Sequence, residues 1–586
     1  MRSVRRLSRP LAILTGLWAA VILALTLTPA AEMPRTPEWE LLSFDTAAHA
    51  AVFFVLVTLA WLAQQPAART ALAGIQLLIS SIVFGGVIEI LQHAMHLGRH
   101  GDWTDLLSDA IGAVLALLLL AAWQRTFADR LTALGGLLLL ASGAATAQSL
   151  PPPAIPNGPD LARARRTIAA LAAPGMHGRG YVRQGEHKAA AYLRGRLRQL
   201  GLQPLAPDFT QPFSLDVNTF PGRLRLKISY PILAEHGLEL TRPISLQAGS
   251  DFIVSASSPG FTARSLRGVR LDSIDVHNSV YQDYWFRQVN DCVANDRAIL
   301  LTAKLQAQWA QLPVAMQEAI DASAAKIILV PKLTATVSNQ QTRQVELHVL
   351  DQSRYFGVGG DPHTLQLEVQ SQLLRNYPTQ NLAAVLPGTA QPDSFLVISA
   401  HYDHLGMMGK TVYFPGANDN ASGVALLLEL AAHYARPENR PRYSIAFLLF
   451  GAEEAGLVGS RYFVQHPLLP LARIKFLLNL DLLGTGETGA TVVNGRIHEA
   501  AYQRLLALNN AHHYLPSLAA RGRAANSDHF PFSEVGVPAF FIYTRGGSPA
   551  YHDVQDRPEA LSLAGFAGAF GLLRDFLDEQ GAALKK

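Results

Sequence analysis

The run Phe395-Leu396-Val397-Ile398-Ser399-Ala400-His401-Tyr402-Asp403 decides how this chain is read. Its apolar half predicts a buried strand. The strand ends on His-Tyr-Asp, so groups able to hold a metal fall where the sheet stops. Four later segments repeat that design. Gly416-Ala417-Asn418-Asp419-Asn420 precedes a helical pattern, and Gly451-Ala452-Glu453-Glu454 follows Ile445 to Phe450. Asn479-Leu480-Asp481 follows Ile474 to Leu478, and Tyr551-His552 follows Val537 to Tyr543. In open α/β sheets, ligands gather beyond the carboxyl ends of the strands. Imidazole nitrogen and carboxylate oxygen suit zinc, and a shared carboxylate can bridge two ions. Thiolates take no part, since Cys292 is the one cysteine.

The segments His401-Tyr402-Asp403, Gly416 to Gly423, Glu453 to Ser460, Asn479-Leu480-Asp481, Ser527-Asp528-His529 and Tyr551 to Asp556 come in an order and spacing that resembles the co-catalytic zinc aminopeptidases. These are relatives of bacterial leucyl aminopeptidases, glutamate carboxypeptidase and the transferrin receptor. The resemblance implies two zinc ions held by His401, Asp419, Glu454, Asp481 and His552, with Asp419 as the bridge. It implies Glu453 as general base, a role open to a carboxylate that is not itself a ligand. Asp403 is expected to orient the His401 imidazole, Asp556 to do the same for His552, and Tyr551 to polarise the scissile carbonyl. A cis peptide after Asp419 is implied as well. His404, His433, His529 and the pair His512-His513 are read as outer or surface residues. A single Glu-Glu pair is usually solvated surface; five ligand-bearing segments in register are a different matter.

At 586 residues the chain exceeds one core, and its 16% charged content averages two unlike parts. Arg2, Arg5, Arg6 and Arg9 precede an apolar run from Leu11 to Pro29. Further apolar segments cover 46–63, 71–91, 106–123 and 131–147, each near the ~20 residues a bilayer crossing takes. With the amino terminus inside, the inner flanks hold seven arginines (Arg2, Arg5, Arg6, Arg9, Arg69, Arg125, Arg130) and the outer loops two, Arg35 and Arg99. Five crossings would put everything beyond Ala147 on the periplasmic or extracellular side of the cell membrane. The run Ala144-Ala145-Thr146-Ala147-Gln148 also reads as a signal-peptide cleavage pattern. Cleavage would release the following domain, and its absence would tether it. Asp45, His49, Glu89, Gln92, Arg99, Asp102, Asp105 and Asp109 are costly in lipid and mark paired or functional positions. This arrangement resembles the VanZ-like membrane family over residues 1–125.

A proline-rich linker from Ser149 to Pro159 leads to two helical patterns within 160–202. The catalytic domain is expected over 149–207 and 362–586, interrupted at 208–361 by a segment resembling a protease-associated insert and read as a lid. The chain is expected to rejoin the sheet at Leu365 to Val369 and Asn381 to Leu386.

The expected fold is therefore an amino-terminal α-helical membrane bundle, then an α/β domain with a mixed, mostly parallel doubly wound sheet and an inserted β-rich α/β lid. The expected function is that of an exported dizinc aminopeptidase acting on peptides, tied to the bilayer by its spans. A carboxypeptidase or dipeptidase, a single-zinc glutaminyl cyclase and a non-catalytic envelope-binding module are the alternatives. No nucleic-acid motif accompanies the sequence pI of about 9.0, which reflects scattered arginines.

Overall fold

The computed structural model describes residues 158–233, 239–271, 279–351 and 364–582, together with 14–19, 22, 44–63, 71–95, 108–110, 112–117 and 120 of the amino-terminal part. The chain divides into two compact units, Met1–Pro151 and Pro152–Lys586.

In the first unit, helices α1 (Phe44–Ala63) and α2 (Ala71–Met95) coincide with the second and third apolar segments. Phe53, Val57 and Trp61 are buried on α1, and the Trp18 indole donates to the Val52 carbonyl at 3.1 Å. Among the described residues, no helix is long and apolar enough to cross a membrane. The expected membrane bundle therefore rests on the sequence alone. The side chains of Asp45, His49, Glu89, Gln92, Arg99, Asp102 and Asp105 lie outside the described residues, as do 131–147 and the cleavage pattern at Ala147. Asp109 is buried.

The second unit opens with helices α3 (Leu161–Leu171) and α4 (Gly185–Gln199). Asp160 caps α3, accepting from the Arg163 main-chain N–H, and Arg163 in turn makes a two-point ion pair with the buried Glu429 at 2.7 and 2.5 Å. Strands β1 (Gln203–Pro204) and β2 (Thr210–Thr219) follow.

The chain then builds the insert. A four-stranded sheet contains β3 (Leu224–Leu233), β4 (Glu239–Leu246), β6 (Phe261–Leu266) and β11 (Thr364–Val369). A five-stranded sheet contains β5 (Phe252–Val254), β7 (Gly268–Leu271), β8 (Ala298–Leu301), β9 (Ala325–Val330) and β10 (Val345–Leu350). Helices α5 (Ser279–Ala294) and α6 (Val314–Asp321) belong to the same segment.

Two expectations about this insert change. Leu365 to Val369 does not rejoin the main sheet; it pairs antiparallel with β3 and β6. Conversely β2, placed in the insert by its number, pairs along β12 (Gln372–Leu386) in the main sheet. Alternation of apolar and polar residues identifies a strand and its buried face but does not choose its partner.

The remaining elements complete the main sheet: β13 (Gln391–His401), α7 (Gly423–Tyr434), β14 (Tyr443–Phe450), α8 (Val458–Gln465), β15 (Ile474–Leu480), β16 (Gly489–Val493), α9 (Glu499–His512), β17 (Leu518–Ala520), β18 (Ala539–Arg545) and α10 (Phe566–Ala582). The strand order is β1-β12-β14-β13-β15-β18-β16-β17. Pairing is parallel through β14-β13-β15-β18 and antiparallel where β12 meets β14 and β16 meets β18. The sheet is thus parallel at its centre rather than mostly parallel, since flanking strands need no helical crossover to join it antiparallel.

Every residue of β14 is buried, as a central strand covered on both faces requires. The register sets His401 against Phe450 and Ser399 against Asn479. Three strand ends therefore finish level, and the loops after them open on one edge.

Candidate metal centre

At those strand ends the main chain is held by an arginine that no motif marks. Arg179, in the glycine-bearing loop between α3 and α4, is fully buried, and its guanidinium donates only to carbonyls. The acceptors are Tyr402 (2.8 Å), Leu171 (3.1 Å), Pro415 (2.7 Å), Gly416 (2.8 Å) and Asp419 (3.1 Å). Two of the loops that carry site residues are thereby tied to one planar group. Burial lowers its pKa to about 10 against the pull of the Asp419, Asp556 and Asp403 carboxylates, so it stays charged at neutral pH. Gly416 must be glycine here: its φ is +59°, and a Cβ would lie 2.6 Å from the guanidinium.

We expect Arg179→Met to lower stability by on the order of 3 kcal/mol or more, because it strands several buried acceptors. Denaturant unfolding measures this, and a loss below about 1 kcal/mol would contradict the clamp.

His401 ends β13. Its Nδ1 lies 3.3 Å from the Asp403 main-chain carbonyl, which can only accept, so Nδ1 carries the proton. Nε2 is then free to donate its lone pair, and it faces Asp419 Oδ1 and Asp481 Oδ1, each at 3.4 Å. His552 repeats the arrangement. Its Nδ1 donates to the Ala335 carbonyl at 2.8 Å, and Nε2 faces Asp419 Oδ2 and Glu454 Oε2, each at 3.2 Å. The two oxygens of Asp419 thus divide between two histidine–carboxylate groups. The Asp419-Asn420 peptide is cis. Asn420 ties the turn to β15, its amide donating to the Leu480 carbonyl at 2.9 Å.

The structure brings together all five expected ligands and Glu453, and adds His404. Triads of donor atoms close enough for one ion form from His401, Glu453 and Asp481, and from His404, Asp419 and Glu454. His404 Nδ1 donates to Glu454 Oε1 at 2.7 Å, leaving Oε2 toward His552. It holds that carboxylate from behind. Of the neighbouring glutamates, Glu453 lines the open cavity of about 210 Å3 beside the cluster, together with His401, Asp419, Asp481, Tyr551 and His552. Burial and then the Asp528, Glu454 and Asp481 carboxylates raise the Glu453 pKa well above the usual range, outweighing His401.

Two expected roles are corrected. The carboxylate of Asp403 is 3.8 Å from His401 Nδ1, and its hydrogen bonds come from the main-chain N–H groups of Glu453 (3.1 Å) and Glu454 (3.4 Å). Asp403 therefore positions the Glu-Glu loop, and its carbonyl rather than its carboxylate orients His401. Burial pushes its pKa up to about 7. Asp556 does not touch His552; it accepts from the N–H groups of Asn418 (2.9 Å) and Asp419 (3.0 Å). Its partner role belongs to Ala335 of the insert.

Tyr551 is 49% exposed and stacks on His552 with ring centroids 3.9 Å apart. On the far side, Ser527 donates to Asp481 Oδ2 at 3.0 Å and accepts from Asn479, which in turn accepts from Ser399. Among the described residues the cavity is lined by none from the insert, whose core shares Met408 and Phe414 with the site loops.

The donor set fits divalent cations. His401, Asp403, Asp419, Asp481 and His552 are buried, and Asp481 Oδ1 has no hydrogen-bond donor among the described residues. Buried carboxylates in this number demand compensating positive charge. The field has that sign at His552, where Glu454 and Asp419 outweigh burial and push the imidazole up to about 11.

Fold and donors together define an α/β domain with a donor cluster suited to divalent cations beyond the carboxyl ends of its central strands. Residues 381–576 match the model for Peptidase family M28, and all the donor residues lie within that stretch. The chain is 31% identical over 218 residues to aminopeptidase YwaD of Bacillus subtilis, covering 35% of this chain and 45% of that protein. It is 32% identical over 165 residues to leupeptin-inactivating enzyme 1 of Streptomyces exfoliatus, covering 28% and 35%. It thus spans less than half of these curated relatives. The solved zinc aminopeptidase BSAP of Bacillus subtilis superposes with a TM-score of 0.51 at 20% identity, covering 71% of this chain and 94% of that one. A Peptidase M28 precursor of Shewanella amazonensis superposes at 0.53 and 16% identity, covering 72% and 93%. These two likenesses concern the fold.

Proposed function

We propose that the second unit is a dizinc metallopeptidase that removes amino-terminal residues from peptides. The observation that carries this reading is the divided carboxylate of Asp419, with a histidine and a further carboxylate on either side. One ion would be held by His401, Asp419 and Asp481, the other by His552, Asp419 and Glu454. When bound, such a pair supplies an activated water and a Lewis acid for the scissile carbonyl.

The chain's own residues do the rest. Glu453 opens on the cavity, takes a proton from water and passes it to the leaving amine. Asp403 fixes the loop that carries it, His404 and Ser527 hold Glu454 and Asp481, and Tyr551 stands at the cavity mouth where a substrate carbonyl would lie. M28 similarity over the same stretch and the zinc aminopeptidase fold support the reading.

We further propose export, with the first unit as a multi-pass membrane anchor. The apolar segments and the arginine asymmetry support this, and protease accessibility in intact cells tests it. For the peptidase itself, the zinc-loaded chain is expected to hydrolyse unblocked aminoacyl amides, to leave amino-blocked peptides intact, and to stop under chelation. Cleavage of amino-blocked but not carboxyl-blocked peptides would replace it with the carboxypeptidase reading.

A further inference from the structure

One wall of the cavity carries a cation without a carboxylate partner. Arg521 follows β17, and its main chain is pinned on both sides: its N–H donates to the Val492 carbonyl at 2.9 Å, and its carbonyl accepts from Arg496 at 3.1 Å. The side chain lines the same cavity as His401, Glu453 and Asp481. Among the described residues its guanidinium makes one hydrogen bond, donating to the Tyr543 hydroxyl at 3.1 Å.

Neighbouring arginines are spent otherwise. Arg523 pairs with Glu534 and lies over the Phe530 ring. Arg545 donates to the Thr488 carbonyl and to Ser517. Among the described residues, no carboxylate lies within ion-pair distance of Arg521. The acidic groups of the cavity are gathered at the metal end, where Asp419 and Asp481 are committed to the imidazoles.

We propose that Arg521, steadied by Tyr543, is a specificity residue that binds a carboxylate of the substrate, so that this centre prefers anionic substrates. The inference rests on the peptidase reading above. An arginine fork is suited to a carboxylate, forming charge-assisted bonds that a neutral side chain cannot match. The anion can be the side chain of an acidic first residue or the free carboxyl end of a dipeptide, since both present the same group.

The test compares kcat/KM of the zinc-loaded full chain on glutamyl, leucyl and lysyl p-nitroanilides, and on Leu-Gly against Leu-Gly amide. The proposal expects at least one of two preferences of about tenfold or more: glutamyl over leucyl anilide, or the free dipeptide over its amide. Which one appears identifies the source of the carboxylate. In Arg521→Gln that ratio should collapse toward one, and in Arg521→Glu the lysyl substrate should gain relative to the anionic one. Circular dichroism and zinc content confirm that the variants remain folded and loaded. Hydrolysis of leucyl anilide with neither preference, or ratios unchanged in both variants, would overturn this proposal and leave the peptidase reading intact. No hydrolysis of any substrate would overturn both.

Discussion

Glu453→Gln is expected to keep both metal ions and to lose about 10² to 10⁴ in kcat, the range a general base supplies. Glutamine preserves the volume of the side chain. The main-chain N–H by which Asp403 holds the loop, at 3.1 Å, is untouched. What the variant lacks is the oxygen that accepts the proton. The neighbouring residue provides the control: Glu454 points its two oxygens at His404 and His552, so Glu454→Gln should lose metal as well as turnover. Turnover comparable to the native chain in Glu453→Gln, measured on the same substrate with metal content determined in parallel, would remove Glu453 as the base.

The second large effect is expected at Asp419. Its oxygens serve different imidazoles, at 3.4 Å and 3.2 Å, so Asp419→Asn leaves one side with a neutral amide nitrogen where an anionic donor stood. Bound metal should fall from two per chain to at most one. A loss of several kcal/mol in transition-state stabilisation corresponds to a fall in kcat/KM of about 10³ or more. The fold should survive, because the turn is held through its main chain: Asp556 accepts the Asp419 N–H, and Arg179 donates to the Asp419 carbonyl. Two ions and near-native turnover in this variant would mean that Asp419 is no bridge. Loss of the folded state, read by circular dichroism, would mean that the turn depends on its carboxylate.

The sequence reveals those groups that chemistry restricts to few residue types. Strand endings on His401 and Asp481, and the pair Glu453-Glu454, are legible because an apolar run that stops on such a residue has few other uses. The central strands are legible for the same reason: β14 is apolar throughout, and a run of that kind belongs in the middle of a covered sheet.

Supporting contacts are less legible because main-chain atoms make them, and main-chain atoms leave no signature. His552 is oriented by the carbonyl of Ala335, more than two hundred positions earlier and inside the insert. Asp403 meets two N–H groups rather than the imidazole two residues away, since the strand end turns its carboxylate under the Glu-Glu loop. Arg179 is one of many arginines in the chain; only its five carbonyl partners, brought from three separate segments, distinguish it. Its one local sign was the glycine on either side. Strand partners elude the sequence similarly, as Leu365 to Val369 shows: the alternating pattern is plain, yet whether it joins the main sheet or the insert depends on neighbours that the pattern does not name.

Elemental analysis of the purified chain before and after dialysis against a chelator, with zinc added back stepwise and aminoacyl hydrolysis followed on the same samples, tests the central claim most directly. The arrangement around Asp419 predicts two zinc ions per chain, hydrolysis abolished with their removal and restored as the second equivalent binds. A chain that takes up no zinc, or one that hydrolyses equally well without it, would contradict the dizinc centre.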